Sequence, residues 1–202
     1  MTSLTRNNNN ISGKRKLSDI DVAYDSNISI KIPDGNVYMR YKNGTIYIGQ
    51  YKDNQKNGKG IMKYQNGAKY QGEFKNDRRD GHGIFYNRNG SYYEGEWKCG
   101  KNEGKGIFKW ISGNIYIGEF KNTRINGRGI MKYIDGSSYD GEFKDDMRHG
   151  KGLFRYSNGD TYEGDWTNDK KNGKGIIKYH DIVTSSFEVE YMDNMLLSCK
   201  MI

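Results

Sequence analysis

Residues 93–115 read YEGEWKCGKNEGKGIFKWISGNI, and the fold follows from this stretch and its copies. Tyr93, Gly95 and Trp97 alternate with Glu94 and Glu96, the period-two signature of a short strand with one buried face. Gly106, Phe108 and Trp110 alternate with Ile107 and Lys109 in the same way, so a second strand follows within the same 23 residues. Glycines at Gly95, Gly100, Gly104, Gly106 and Gly113 argue against a helix, since each costs about 1 kcal/mol in a helix interior.

The stretch is one of six. Tyrosines recur every 23 residues at Tyr47, Tyr70, Tyr93, Tyr116, Tyr139 and Tyr162. With each tyrosine as position 1, position 3 is always glycine and position 4 is Gln50, Glu73, Glu96, Glu119, Glu142 or Asp165. Position 5 is aromatic throughout (Tyr51, Phe74, Trp97, Phe120, Phe143, Trp166), and positions 12 and 14 are glycine in every unit. Position 21 is glycine in five units and Ile182 in the sixth. Both flanks carry decayed copies, at 35–46 and at 187–193, as a stacked array requires of its caps. Residues 1–34, with an Asn run, read as a flexible tail, and 194–202 as a C-terminal tail.

The pattern predicts an all-β chain: one elongated, single-sheet antiparallel meander of 23-residue β-hairpin repeats, about a dozen strands and about 60 Å long at ~4.8 Å per strand. Asn66-Gly67, Asn89-Gly90, Asp135-Gly136 and Asn158-Gly159 are read as type I′ hairpin turns between units. The connection at positions 6–11 reads as longer and variable. Positions 1, 3, 5, 14, 16 and 18 share one face, an aromatic ladder. The other face carries the acid of position 4, expected to pair with Lys or Arg at position 17.

Composition supports an extended fold. Hydrophobic residues make up 34% of the 202, too few for a thick core, yet 13% are aromatic, too many for a disordered chain. No stretch approaches ~18 apolar residues, which excludes a membrane-spanning helix. MTSLTRNNNN lacks the apolar run of a secretory signal, and Thr2 excludes N-myristoylation. Two cysteines, Cys99 and Cys199, make neither a disulfide framework nor a zinc site, which fits a reducing compartment, cytosolic or nuclear.

The unit Y-x-G-E-F/W…G-x-G…G resembles the MORN (membrane occupation and recognition nexus) repeat across about 35–193, best at Tyr93–Trp97 and Tyr162–Trp166. It departs from that pattern at Gln50, Asn87 and Ile182. The resemblance implies a non-catalytic scaffold for protein–protein interaction at a membrane or a cytoskeletal or ciliary structure. It also admits two alternatives: a direct phosphoinositide-binding module, or a regulatory subunit of an enzyme such as a lipid kinase or lysine methyltransferase.

No enzyme or cofactor site is read from the residues. The recurring N-G-K-G lacks the G-x-x-x-x-G-K-[ST] of a phosphate loop, and His82, His149 and His180 fall at different repeat positions. The net charge of +8 concentrates in residues 35–69, which makes Lys52, Lys56, Lys59, Lys63 and Lys69 the candidate contacts for an anionic lipid surface. The ladder of Tyr70, Phe74, Tyr93, Trp97, Trp110, Tyr116, Phe120, Tyr139, Phe143, Tyr162 and Trp166 is the candidate binding face for a protein partner such as a helical peptide. Interleaved acids argue against nucleic acid. The sheet's edges invite homodimer pairing, although Met195-Leu196-Leu197 could cover one of them. Cys199 has the C-a-a-X spacing of a prenylation acceptor, and Lys14-Arg15-Lys16 is a short basic run.

Overall fold

The structure, a computed structural model, describes residues 28–32, 35–181 and 186–202. These residues form sixteen strands and no helix. The strands are β1 (Ile28–Ile32), β2 (Asn36–Arg40), β3 (Ile46–Lys52), β4 (Gln55–Lys63), β5 (Lys69–Lys75), β6 (Arg78–Tyr86), β7 (Tyr92–Lys98) and β8 (Lys101–Lys109). They continue with β9 (Ile115–Lys121), β10 (Arg124–Lys132), β11 (Ser138–Lys144), β12 (Met147–Arg155), β13 (Thr161–Thr167), β14 (Lys170–Lys178), β15 (Ser186–Met192) and β16 (Met195–Met201). Each pairs antiparallel with its successor, so sheet order equals chain order and the sheet is open at β1 and β16.

The core is the ladder. Tyr47, Tyr70, Tyr116, Tyr139 and Tyr162 are fully buried, and Tyr93 nearly so. Each ring lies across a glycine pair in neighbouring strands, such as Gly95 and Gly106, where an added Cβ would lie 2.6 Å from the Tyr93 ring or hydroxyl. Each hydroxyl donates to the carbonyl of position 4, as from Tyr93 to Glu96 at 2.8 Å and from Tyr70 to Glu73 at 2.9 Å. Each ring from Tyr70 onward also meets two position-5 rings edge-on, and Tyr47 meets one, Phe74. Tyr93 sits 5.2 Å from Trp97 of its own unit and 4.9 Å from Phe120 of the next, both within the range of favourable T-shaped contacts. Ring packing therefore passes from unit to unit without a second layer.

Several expectations are corrected. The type I′ turns lie inside the units, not between them: Asp53-Asn54, Asn76-Asp77, Asp145-Asp146 and Asn168-Asp169 all have both φ angles positive. Between units only the glycine is left-handed, with φ of 87° at Gly67. There Gly67 N–H donates to Tyr64 O at 3.0 Å, and Tyr64 N–H to Ala68 O at 2.9 Å. This is a three-residue loop closed by a bulged glycine. Asn66 Oδ1 accepts from Ala68 N–H at 3.0 Å, the Asx contact that makes a second left-handed residue unnecessary.

Position 4 does not reach position 17. A bulge shifts the register between Gly72 and Phe74 in β5–β6, and the same shift recurs in the other units. The acid turns toward the left-handed glycine of position 12 and accepts from the N–H of position 13, as Glu96 does from Lys105 at 3.1 Å. Across the next strand it faces position 13 of the preceding unit, and Lys151 and Asp165 form such an ion pair at 2.6 Å.

Two strands lie in segments expected to be tails. β1 falls within 1–34, where ISIKI alternates with period two and pairs with β2. β16 falls within 194–202 and covers β15, with Glu188 opposite Lys200, through an Asp193-Asn194 turn of the intra-unit type. The rest of the expected N-terminal tail, including Lys14-Arg15-Lys16, and Ile182 lie outside the described residues.

Candidate functional site

The ladder nominated as a binding face is the core. Phe74, Trp97, Phe120, Phe143 and Trp166 are 4–6% exposed, so their rings are committed to the sheet. Trp97 and Trp166 also donate from Nε1 to Gly83 O and Gly152 O at 3.0 and 3.2 Å. Of the nominated rings only Trp110 is half-buried, stacked at 4.6 Å on Phe108.

Position 10, not singled out by the sequence reading, covers the rungs. The Arg79 guanidinium lies 4.1 Å from the Trp97 ring centre and Arg148 lies 4.4 Å from Trp166. Lys171 sits 4.7 Å over Tyr162, while Asn102 and Ile125 fill the same place in the middle units as buried side chains. Position 8 of the following unit staples this residue. Asp169 Oδ1 accepts from Arg148 N–H at 2.9 Å and from its Nε at 3.0 Å, and Asp146 accepts from Ile125 N–H at 2.8 Å.

Lys56, nominated as a lipid contact, belongs to this set on the ladder face. It stands beside Tyr41 and Tyr47 and pairs with Asp77 at 2.8 Å. Burial opposes ionisation of Asp77, but hydrogen bonds from the Lys56 side chain and backbone outweigh it and hold the carboxyl below its usual range. The other nominated lysines, Lys52, Lys59, Lys63 and Lys69, sit at register positions on the opposite face; Lys52, Lys59 and Lys63 are exposed. Burial raises the ladder phenols, pushing Tyr93 and Tyr162 up to about 12.

The opposite face is the open one. Its centre is a continuous cross-strand row of positions 15 and 2, in which Ile107 faces Ile117 and Ile117 faces Ile130. Toward the C-terminal end the row becomes Asp140, Leu153, Glu163, Ile176 and Glu188. Two depressions, of about 950 Å³ and about 330 Å³, lie on this row and share Arg128. The recurrence of Ile or Leu at position 15, on the face away from the ladder, is the sequence signal that marks this row.

Beyond the row, positions 17 and 23 form its border. Cys199 is exposed and opposite Val189 inside the β15–β16 ladder. At the open end, Met195, Leu196, Leu197, Met201 and Ile202 are 50–66% exposed. Among the described residues, no three His, Cys, Asp or Glu side chains gather as a metal site would require.

A family model described as the MORN repeat matches residues 47–69, 70–92, 93–115, 116–138, 139–161 and 162–181. No curated protein matches the chain at a significant level. Among solved structures, the chain resembles the TCP domain of Drosophila melanogaster SAS-4 in complex with a proline-rich motif of Ana2. That match has 16% identity and a TM-score of 0.51, covering 83% of this chain and 93% of that one. It also resembles the TCP10 domain of Danio rerio CPAP, with 12% identity and a TM-score of 0.50, covering 87% and 84%. A structure of the CPAP G-box domain matches at 11% identity and a TM-score of 0.51, covering 87% and 98%. At these identities the likeness is one of fold.

Proposed function

The chain belongs to the MORN-repeat family, and from that premise we propose that it is a non-catalytic scaffold that holds a protein partner along the sheet, at a membrane or a cytoskeletal structure. One observation carries the reading. The ladder face is filled by its own rings, while the opposite face keeps a continuous row of aliphatic and polar side chains crossing the strands from β3 to β15. Such a row suits an extended segment laid across the strands better than a compact helix end. The SAS-4 TCP domain, in complex with a proline-rich motif of Ana2, is a single example of a similar fold taking a peptide.

The test is titration of labelled extended 12-residue peptides, followed by anisotropy, against wild type and an Ile107→Asp/Ile130→Asp variant. Binding that the variant abolishes while its melting temperature holds supports the reading. Binding unaffected by the variant, or mapped by amide exchange to the ladder face, refutes it.

A second reading is direct recognition of an anionic lipid surface through Lys52, Lys59, Lys63 and Lys69, favoured by their common face. Flotation with phosphoinositide liposomes, lost at physiological salt or on charge reversal of the four, would support it. Absence of flotation at low salt would reject it. Self-pairing through the exposed β16 edge is part of the scaffold reading, and sedimentation across a range of concentrations reports it directly.

A further inference from the structure

The border of the open row is a line of uncompensated cations. Position 17 supplies Lys63, Lys109, Lys132, Arg155 and Lys178, all exposed, at every unit but the second, where Tyr86 stacks on Tyr92. Their cross-strand partners at position 23 are Lys69, Ile115, Ser138, Thr161 and Ser186, so no carboxylate lies in the line. None of the ion pairs among the described residues uses these cations.

Elsewhere on this face some cations are answered, while position 6 carries a second exposed line at Lys75, Lys98, Lys121 and Lys144. Lys151 pairs with Asp165, and Arg124 and Lys170 pair with turn aspartates. One row inward the sign changes: the centre is aliphatic at Ile107, Ile117 and Ile130 and acidic at Asp140, Glu163 and Glu188.

We propose that this rail and the isoleucine row beside it recognise an acidic, aliphatic polypeptide segment in extended polyproline-type conformation. The proposal rests on the scaffold reading above and adds the partner's chemistry. Charge complementarity selects the anion, and the rows select its form. A ligand with phosphates on both flanks, such as a nucleic acid duplex, would set phosphates against Asp140 and Glu163 in the centre. A planar lipid surface would reach the rail but leave the depressions empty. A polypeptide anionic along one ridge and aliphatic along the next sets its anions on the rail and its apolar side chains on Ile107, Ile117, Ile130, Leu153 and Ile176.

The spacing agrees. Successive rail positions are two strands apart, about 9.6 Å at ~4.8 Å per strand. A polyproline II helix repeats every three residues, about 9.3 Å. Glutamates at every third residue therefore keep step with Lys109, Lys132, Arg155 and Lys178, slipping only about 1 Å over the run. The adjacent ridge of the same helix falls over the central row, where Ile117 is 41% exposed. Ile111 and Ile134, 70% and 75% exposed on the turns beyond Lys109 and Lys132, extend the apolar contact on the outer side.

The experiment uses the full chain and four synthetic peptides: (Glu-Leu-Pro)4, (Gln-Leu-Pro)4, (Lys-Leu-Pro)4 and a shuffled order of the first. The expected result is binding of (Glu-Leu-Pro)4 at least tenfold tighter than the glutamine form, with no detectable binding of the lysine form. The affinity should fall with added salt, as screening over about 8–10 Å requires. Lys132→Glu/Arg155→Glu should abolish this binding. Lys121→Glu/Lys144→Glu, the same charge change on the same face away from the rail, should change it less than threefold. All variants are compared at matched circular dichroism and melting temperature.

Equal binding of the glutamine form, lost in the Ile107→Asp/Ile130→Asp variant, overturns this inference and leaves the scaffold reading standing. Failure of every peptide to bind overturns both. Equal losses in the two charge variants, or tight binding of the shuffled peptide, reduce the effect to bulk attraction and overturn it. Rail-dependent flotation with phosphoinositide liposomes in the absence of peptide binding assigns the rail to a membrane and likewise overturns it.

Discussion

If the ladder tyrosines lie on glycine because nothing larger fits, Gly106→Ala tests the whole architecture in one methyl group. The new Cβ would sit 2.6 Å from Cε2 and from the hydroxyl of Tyr93, and 2.8 Å from Cζ. Carbon atoms rest about 3.5–4.0 Å apart, so the ring must withdraw by about 1 Å. It has nowhere to go. Tyr93 is 2% exposed, held edge-on by Trp97 and Phe120, and tied to Glu96 O at 2.8 Å. Overpacking costs about 1–3 kcal/mol and the lost hydrogen bond about 1. Alanine's lower unfolded-state entropy returns about 0.4–1 kcal/mol, leaving a net loss of roughly 1–3.5 kcal/mol.

Gly95→Ala is the informative partner. Its Cβ would meet the Tyr93 hydroxyl at 2.6 Å but also Gly106 Cα and Lys105 O at 2.6 Å, backbone that cannot rotate aside when the ring is removed. Tyr93→Leu should therefore relieve Gly106→Ala, with a coupling of about 1–2 kcal/mol, and leave Gly95→Ala unrelieved within about 0.5 kcal/mol. Gly90→Ala, with open space around it and φ of 91°, should show only left-handed strain, about 1–2 kcal/mol. The assay is urea unfolding followed by tryptophan fluorescence. Amide exchange across β7–β8 accompanies it, because stacked units can open separately. A Gly106→Ala protein within about 0.5 kcal/mol of wild type, or equal coupling at both glycines, would refute the argument.

Thr123 is β-branched at φ of 73° in an intra-unit turn, at the position where Asp77, Asp146 and Asp169 accept from the preceding unit. Thr123→Asn should relieve strain and supply the missing acceptor for Asn102 N–H, raising stability by about 1 kcal/mol in thermal unfolding. Arg148→Ala removes a cation from the Trp166 ring and the hydrogen bonds to Asp169, and should cost about 1–3 kcal/mol. Arg124→Ala, whose ion pair at 3.5 Å is largely exposed, should stay within about 0.5 kcal/mol, with urea midpoints deciding between them. Burial raises the ladder phenols above the unfolded tyrosine value of about 10, so their stabilising effect is complete below pH 10 and is lost as pH climbs through their folded values. Absorbance at 295 nm should therefore show the ladder tyrosines ionising in one step that coincides with loss of the β-sheet signal. Phenol ionisation completed while the sheet persists would contradict their burial.

The meander is readable because every rung is local: a tyrosine, two glycines and the next aromatic ring lie within 28 residues, and period two assigns their face. Bulges and turns are less readable. Asp145 and Asp146 take left-handed conformations that their identity permits but does not announce, so the tight turn looked like a longer loop. The position-12 bulge moves Glu96 from the expected side-chain partner to the N–H of Lys105, a shift that alternation alone does not encode. Strand parity does separate Lys56 from Lys59 and Lys63, yet grouping by charge merged them. Ten of the eleven nominated ladder rings are buried in the core, which the sequence does not announce because a single sheet suggests an open face, and the T-shaped contacts that close it depend on spacing across strands.

Six copies in one chain also separate what the fold requires from what it leaves free. Positions 1, 3, 12 and 14 do not change between copies, and each has a steric or conformational reason not to. Position 2 runs Ile48, Gln71, Glu94, Ile117, Asp140, Glu163, although every copy places it in the same backbone environment. Position 17 alternates only among Lys, Arg and Tyr in the same six places. A requirement of the sheet would act on all six units alike, so the change from isoleucine at β9 to acid at β11 and β13 has no origin in the packing of the ladder. It gives the open face an aliphatic stretch at Ile107, Ile117 and Ile130 and an acidic end, beside a cationic border interrupted at Tyr86. A ligand laid across the strands would meet these in order, and its register along an otherwise uniform array would be set by that order.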